Sequence, residues 1–314
     1  MSHIVTGHYR SDIAKLSINV DIKNYSTVKL DLTTDESYRL FTTCDTDERS
    51  VTAKIESHTI FGARHALETL LQLIDYDPIS NSTFIVCGAN IVDQPAYPYR
   101  GVLIDTARNF IPVSYLKRLI DAMSWNKLNR LHWHIVDSTS FPLQLTSYPQ
   151  MAFYGAYDSN KYYSKSDIIN LVAYALYRGI SIVPELDTPG HISAGWEWGP
   201  EHGLGPLVLC SKMRCVSVPC STVNVTNPKL YTVLEAVYDE LVQDFGSDLF
   251  HMGGDEVKPK CWQSLPEVLG DVCGNIDVFH NCLLFYDPGN VPIDVGKTNS
   301  EDVEHSSSPG SSYR

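Results

Sequence analysis

The chain has 314 residues, 43% of them hydrophobic, and carries a formal net charge of −13. That length allows two domains and a sizeable core, with the composition of a globular protein. The negative balance argues against nucleic acid and anionic membranes as partners, and no apolar run reaches membrane-spanning length. The N-terminus, Met1 to His8, lacks the basic and apolar regions of a signal peptide. Eight cysteines and three glycosylation sequons, at Asn24, Asn81 and Asn224, nevertheless point to the secretory pathway, lysosomal or extracellular, with the leader absent from this chain.

Residues 1–93 read as a small α+β domain, an antiparallel sheet plus a helix. Lys15–Ile22, Thr27–Leu32, Ser37–Thr43 and Ser50–Ser57 alternate apolar and polar residues, as half-buried strands do. Ile60–Ile74 turns helical, with Ile60, Ala63, Leu67, Leu70, Leu71 and Ile74 on one face. A strand at Thr83–Val86 precedes Asp93-Gln94-Pro95-Ala96-Tyr97-Pro98, whose two prolines mark a domain boundary.

From Arg100 the rhythm is strand, helix, strand, helix. Gly101–Asp105, Leu128–Val136, Ile180–Leu186 and Leu249–Met252 are the strands, the first of them nearly continuous in apolar residues. Pro112 opens one helix, Ser164 caps a second that ends at Gly179, and Pro228 opens a third to about Phe245. Four successive β-α steps imply parallel strands with right-handed crossovers. Asp105, Asp137, Glu185-Leu186-Asp187 and Asp255-Glu256 all follow strands, the edge on which α/β barrels carry their chemistry. The fold class is therefore α/β: a partial TIM (β/α)8 barrel of about four β-α units at residues 97–262, after the α+β domain. Residues 263–314 form an unmatched tail, Ser-rich and expected to be partly disordered.

The stretch His251-Met252-Gly253-Gly254-Asp255-Glu256 runs from a strand into two adjacent carboxylates. Neighbours on a strand face opposite ways, so the two share a cleft only if Gly253 and Gly254 break the extension. A solvated Gly-Asp turn is the alternative for this stretch taken alone. His132 and His134 form a His-x-His pair on one strand face, a pattern able to ligate zinc. The further ligands that metal-dependent amidohydrolase barrels add are not evident, so no metal or other cofactor is expected.

Four motifs carry a resemblance: Arg100-Gly101-Val102-Leu103-Ile104-Asp105-Thr106-Ala107-Arg108, Leu131-His132-Trp133-His134-Ile135-Val136-Asp137, Pro184-Glu185-Leu186-Asp187-Thr188-Pro189-Gly190-His191 and His251-Met252-Gly253-Gly254-Asp255-Glu256-Val257. In this order they resemble the family 20 glycoside hydrolases, the β-N-acetylhexosaminidases, over roughly residues 37–262, with Trp196-Glu197-Trp198-Gly199-Pro200 most like invertebrate members. The resemblance implies hydrolysis of terminal β-linked GlcNAc or GalNAc from glycoconjugates or chitin oligosaccharides, with the substrate's 2-acetamido oxygen as nucleophile. It implies Glu256 as acid/base and Asp255 as the residue that orients the acetamido group. His191 and Asp137 are implied as catalytic support. Arg100 is implied to grip the sugar's 3- and 4-hydroxyls, with Asp187 also on the substrate side. It further implies a disulfide from Cys261 to Cys210, Cys215 or Cys220.

Residue 138 is Ser where many relatives carry a second Asp. The aromatic and acidic residues that the family's later strands supply have no counterpart after Trp262. The chain is thus expected to be an incomplete enzyme, inactive and poorly stable alone; a carbohydrate-binding remnant without turnover is the alternative. A homodimer is left open.

Overall fold

The computed structural model describes residues 8–10, 15–45, 49–210, 221–257 and 261–262. The tail at 263–314, Cys215 and Cys220 lie outside the described residues. The first strands are β1 (His8–Arg10), β2 (Lys15–Ile22), β3 (Tyr38–Asp45) and β4 (Ser50–Ser57), followed by helix α1 (Ile60–Gln72) and strands β5 (Ile74–Asp77), β6 (Ser82–Cys87) and β7 (Asn90–Asp93). One sheet has the order β2-β4-β3-β7 and a second β1-β6-β5.

Several expectations need correction here. The larger sheet is mixed rather than antiparallel, because β2 pairs parallel with β4. Thr27–Leu32 is not a strand. Asp31 Oδ1 instead accepts from the Thr33 N–H and from the Thr33 and Thr34 hydroxyls, local bonds that compete with a ladder. In α1 the Thr59 side chain accepts from Gly62 N and so caps the first turn. The buried face is Phe61, Ala63, His65, Ala66 and Leu70, whereas Ile60, Leu67 and Leu71 face solvent. Of these, Ala63, Ala66 and Leu70 close a core with Leu40, Val51, Ala53 and Ile55 of the sheet, and the Cys44–Cys87 disulfide ties β3 to β6.

The remaining elements are β8 (Gly101–Asp105), α2 (Val113–Trp125), β9 (Arg130–Val136), α3 (Gln150–Gly155), α4 (Lys165–Leu176), β10 (Ser181–Leu186), the short pair β11 (Val208–Leu209) and β12 (Thr222–Val223), and α5 (Pro228–Phe245). Ser164 and Asp167 form a capping box on α4. Asn227 caps α5, Pro228 occupies its first turn, and Gly246, with φ 55°, ends it. β8, β9 and β10 are parallel neighbours in the order β10-β9-β8. The fourth strand expected at Leu249–Met252 is reduced to one parallel bridge, Glu185 to His251. Gly253 and Gly254, with φ 70° and 119°, end the extension there. The outward residues of β9, Trp133 and Ile135, are buried in a core shared with α2, α4 and α5, and each such side chain contributes about 1.5–3 kcal/mol.

Candidate functional site

Sheet register places the charged residues. Asp105 pairs with His134, His134 with Glu185, and Glu185 with His251. One rung across β8, β9, β10 and the bridging segment thus holds four titratable groups at the C-terminal ends of parallel strands. His132 shares the His134 face of β9, two residues earlier. The cleft above this rung is about 350 Å³ and is lined by Leu103, Asp105, Arg108, His132, His134, Glu185, Asp187, His251, Gly253 and Asp255.

Glu185 is the hub of the rung. His132 Nε2 lies 2.5 Å from its Oε2, and His134 Nδ1 and His251 Nδ1 lie 3.1 and 3.2 Å from its Oε1. Burial alone would raise the Glu185 pKa, but these histidines hold the carboxyl far below the usual carboxylate range. His134 also reaches Asp137, with Nε2 3.0 Å from Oδ2, so both of its nitrogens face carboxylates. Burial favours the neutral ring, yet the hydrogen bonds to Asp137 and Glu185 outweigh it and push the pKa up to about 10. Three groups here, among the described residues, have ligating atoms within 4.8 Å of one another, among them His134 with Asp137 and Asp187. In that cluster His134 Nδ1 and Nε2 each already face a carboxylate, Glu185 and Asp137.

Asp137 is fully buried, with Arg108 Nη2 2.7 Å and His191 Nδ1 3.4 Å from Oδ2. Burial would raise its pKa, but hydrogen bonds from His134 and His191 and the Arg108 charge hold it down at about 2. The hydrogen bond to Asp137 in turn raises the His191 pKa. His191 Nε2 is buried and makes no hydrogen bond among the described residues. It faces Glu256 Oε2 at 3.4 Å and Asp255 Oδ2 at 3.8 Å. Both carboxylates are open on one side, with side chains 71% and 69% exposed for Asp255 and Glu256. His191 and Glu256 both hold left-handed backbone, φ 51° and 50°, a conformation that costs a side-chain-bearing residue energy. Asp187 accepts from Gly254 N at 3.1 Å; burial and then the Asp255 charge push its pKa up to about 7.

Of the residues singled out in the sequence, Asp137, Asp187, His191, Asp255 and Glu256 come together. Arg100 does not. It precedes the first residue of β8, five residues before Asp105, or roughly 17 Å along a strand. Its guanidinium grips Glu36 at 2.7 and 2.9 Å and donates to Lys127 O at 2.9 Å. The arginine at the cleft is Arg108, 2.7 Å from both Asp105 and Asp137. Its sequence signal was its place just past the C-terminal end of β8. Glu185 and His251, both inside the quoted motifs, were given no role of their own, although Glu185 is next to last in β10. Cys210 pairs with Cys261. Asn81 is exposed and Asn24 half-buried, but Asn224 is 8% exposed and donates its amide nitrogen to Pro206 O at 2.9 Å, which counts against a glycan there.

The profile of the glycosyl hydrolase family 20 catalytic domain matches residues 97–275, and one described as beta-acetyl hexosaminidase like matches residues 5–73. A chitooligosaccharidolytic beta-N-acetylglucosaminidase of Bombyx mori is 46% identical over 240 residues, covering 74% of this chain and 39% of that protein. Human beta-hexosaminidase subunit beta is 33% identical, covering 82% of this chain and 44% of that protein. The chain therefore spans less than half the length of these relatives. Among solved structures, a chitobiase of Flavobacterium johnsoniae superposes with TM-score 0.71 at 28% identity, over 85% of this chain and 45% of that one. Such neighbours imply a TIM-barrel-like catalytic domain, and with the profile match over more than half its residues the chain belongs to glycosyl hydrolase family 20.

Proposed function

We propose that the chain carries the acid/base half of a β-N-acetylhexosaminidase that removes terminal, non-reducing β-linked GlcNAc or GalNAc from glycoconjugates or chitin oligosaccharides. The observation that carries this reading is the line of contacts from Asp137 through His191 to Asp255 and Glu256. Glu256 protonates the glycosidic oxygen as the bond from C1 breaks. The substrate's 2-acetamido oxygen attacks C1, so no protein carboxylate has to stand across the ring. Asp255 accepts a hydrogen bond from the acetamido N–H and offsets the positive charge of the cyclised intermediate. Glu256 then takes a proton from the water that reopens the ring, and configuration is retained. His191, anchored on Asp137, steers Glu256. Arg108, at the cleft and 41% exposed, offers its guanidinium to sugar hydroxyls in the role first given to Arg100.

Residues 97–262 fit the first half of a barrel of about four β-α units, and residues 1–93 a preceding α+β domain; the parallel order of β8, β9 and β10 supports this. The two disulfides favour a secretory location, and among the described residues no helix is long and apolar enough to cross a membrane. A competing reading is a binding protein that keeps the cleft without turnover, and the exposure of Asp255 and Glu256 is the observation on its side. Assay of the full-length natural protein on a chromogenic β-GlcNAc substrate separates the two. Glu256→Gln is expected to lower kcat by about 10²–10⁴-fold with little change in product binding. A variant that keeps more than half the wild-type rate would remove Glu256 from the mechanism.

A further inference from the structure

We propose that Glu185 is a positioning residue for the acid/base, acting through His134 and Asp137 on His191. The proposal rests on the reading of Glu256 as acid/base and extends the machinery behind it by two residues. Glu185 faces three side chains: His132 at 2.5 Å, His134 at 3.1 Å and His251 at 3.2 Å. Of these, His134 has a second carboxylate on its other nitrogen, Asp137 at 3.0 Å. Asp137 then meets His191 Nδ1 at 3.4 Å, and His191 Nε2 meets Glu256 at 3.4 Å. From Glu185 to Glu256 the line therefore alternates carboxylate, imidazole, carboxylate, imidazole, carboxylate, and its first three members are buried.

Alternation of this kind holds each ring in one tautomer and one orientation. The cation in contact with His134 is Arg108, with Nη1 3.2 Å from Nε2, and His132 and His251, which share Glu185 with it, also oppose its charge when protonated. Arg108 is itself neutralised by Asp105 and Asp137, each at 2.7 Å, so the two carboxylates facing His134 prevail. Around His191 stand Asp137, Asp187, Asp255 and Glu256, the groups its position serves. Without the Glu185 charge, His134 keeps one carboxylate and still faces Arg108. Its second proton then leaves at lower pH, Asp137 loses a charged donor, and His191 is no longer held on one line.

The test combines labelled-histidine NMR with pH–rate profiles on the full-length natural protein. Wild-type His134 should keep both nitrogens protonated from about pH 5 to pH 8. In Glu185→Gln, His134 should titrate inside that range, and kcat/KM should fall on the order of tenfold across the same ionisation. Glu185→Asp should restore the wild-type profile shape. A neutral His134 in the wild type overturns the proposal, and that measurement needs no variant to fold. A Glu185→Gln profile that superposes on the wild type after scaling overturns it too, since a purely structural loss lowers the amplitude alone. The NMR measurement is independent of turnover, whereas Glu256→Gln tests the acid/base reading, so the two failures are told apart.

Discussion

Gly253 is constrained twice at the residue scale. Its φ is +70°, and a Cβ built there would lie 1.8 Å from Asp187 Oδ1. Gly253→Ala should cost about 1–2 kcal/mol through left-handed backbone alone and should also push Asp187 off the Gly254 N–H. Activity is expected to fall much more than the melting temperature, and an unchanged kcat/KM would show that the Asp187 contact does not matter to the cleft. Asp255→Asn removes charge but keeps shape, so a thiazoline mimic of the cyclised intermediate should bind that variant more weakly than wild type. Equal inhibition of both would argue against assistance by the substrate's acetamido group. The residues past the strand ends were legible because polar groups recur there at a spacing that only parallel strands explain. Arg100 and Arg108 flank β8 within one motif; strand polarity favoured Arg108, at the C-terminal end, but the sugar-binding role was given to Arg100 by resemblance. The contacts separate them, placing Arg100 beside Glu36 and Arg108 beside Asp137.

Among the elements, the segment after β10 is tied back by covalent chemistry. Cys210, just past β11, pairs with Cys261, 51 residues later. A cross-link over a loop of that size contributes about 4 kcal/mol in the chain-entropy model. Cys210→Ser is expected to lower stability by a sizeable part of that figure, with chemical denaturation as the measurement. A midpoint unchanged from wild type would mean the bridge does not constrain the unfolded chain. The link was expected from resemblance, but its partner among three cysteines was open, since spacing says nothing of which sulfur comes near. Helices with caps and prolines, α4 and α5, were legible to within two or three residues. In α1 the apolar face was misplaced because Ala66, Gly62 and His65, small or polar in sequence, are what the sheet accepts against it. Leu249–Met252 was read as a full strand because apolar spacing reports extended backbone and not the number of ladder bonds. Among the described residues its ladder bonds are His251 N to Pro184 O, Leu186 N to His251 O and Thr188 N to Met252 O.

At the scale of the molecule two apolar cores meet across a polar seam. Glu36, just ahead of β3, is 6% exposed and sits at its centre. It takes the Arg100 fork at 2.7 and 2.9 Å, His65 Nε2 at 2.8 Å and Asn129 Nδ2 at 3.1 Å. Burial lowers the His65 pKa, and its buried Nδ1 has no hydrogen-bond partner among the described residues, as suits a neutral ring donating from Nε2. Burial would raise the Glu36 pKa, but the hydrogen bonds from His65 and Arg100 and the Arg100 charge hold it at about 2. A depressed carboxylate contributes stability above its unfolded pKa, near 4.3, and that contribution disappears as pH falls through the folded value. The seam should therefore hold at neutral pH and weaken progressively from about pH 4 down to about 2. Arg100→Ala leaves Glu36 buried with neutral donors alone, and breaking a buried pair in this way costs about 3–5 kcal/mol. Because the lost contacts join the two cores and lie inside neither, the variant should also unfold less cooperatively. Calorimetry at neutral pH is expected to give one transition for wild type and a broadened or split one for Arg100→Ala. The variant's stability should also depend less on pH between about 4 and 2, since the charge that depressed Glu36 is gone. A wild-type-like single transition with an unchanged acid limb would place the coupling of the two cores elsewhere in the seam, with the contacts from Lys127 to Tyr38 and Thr69 next to test.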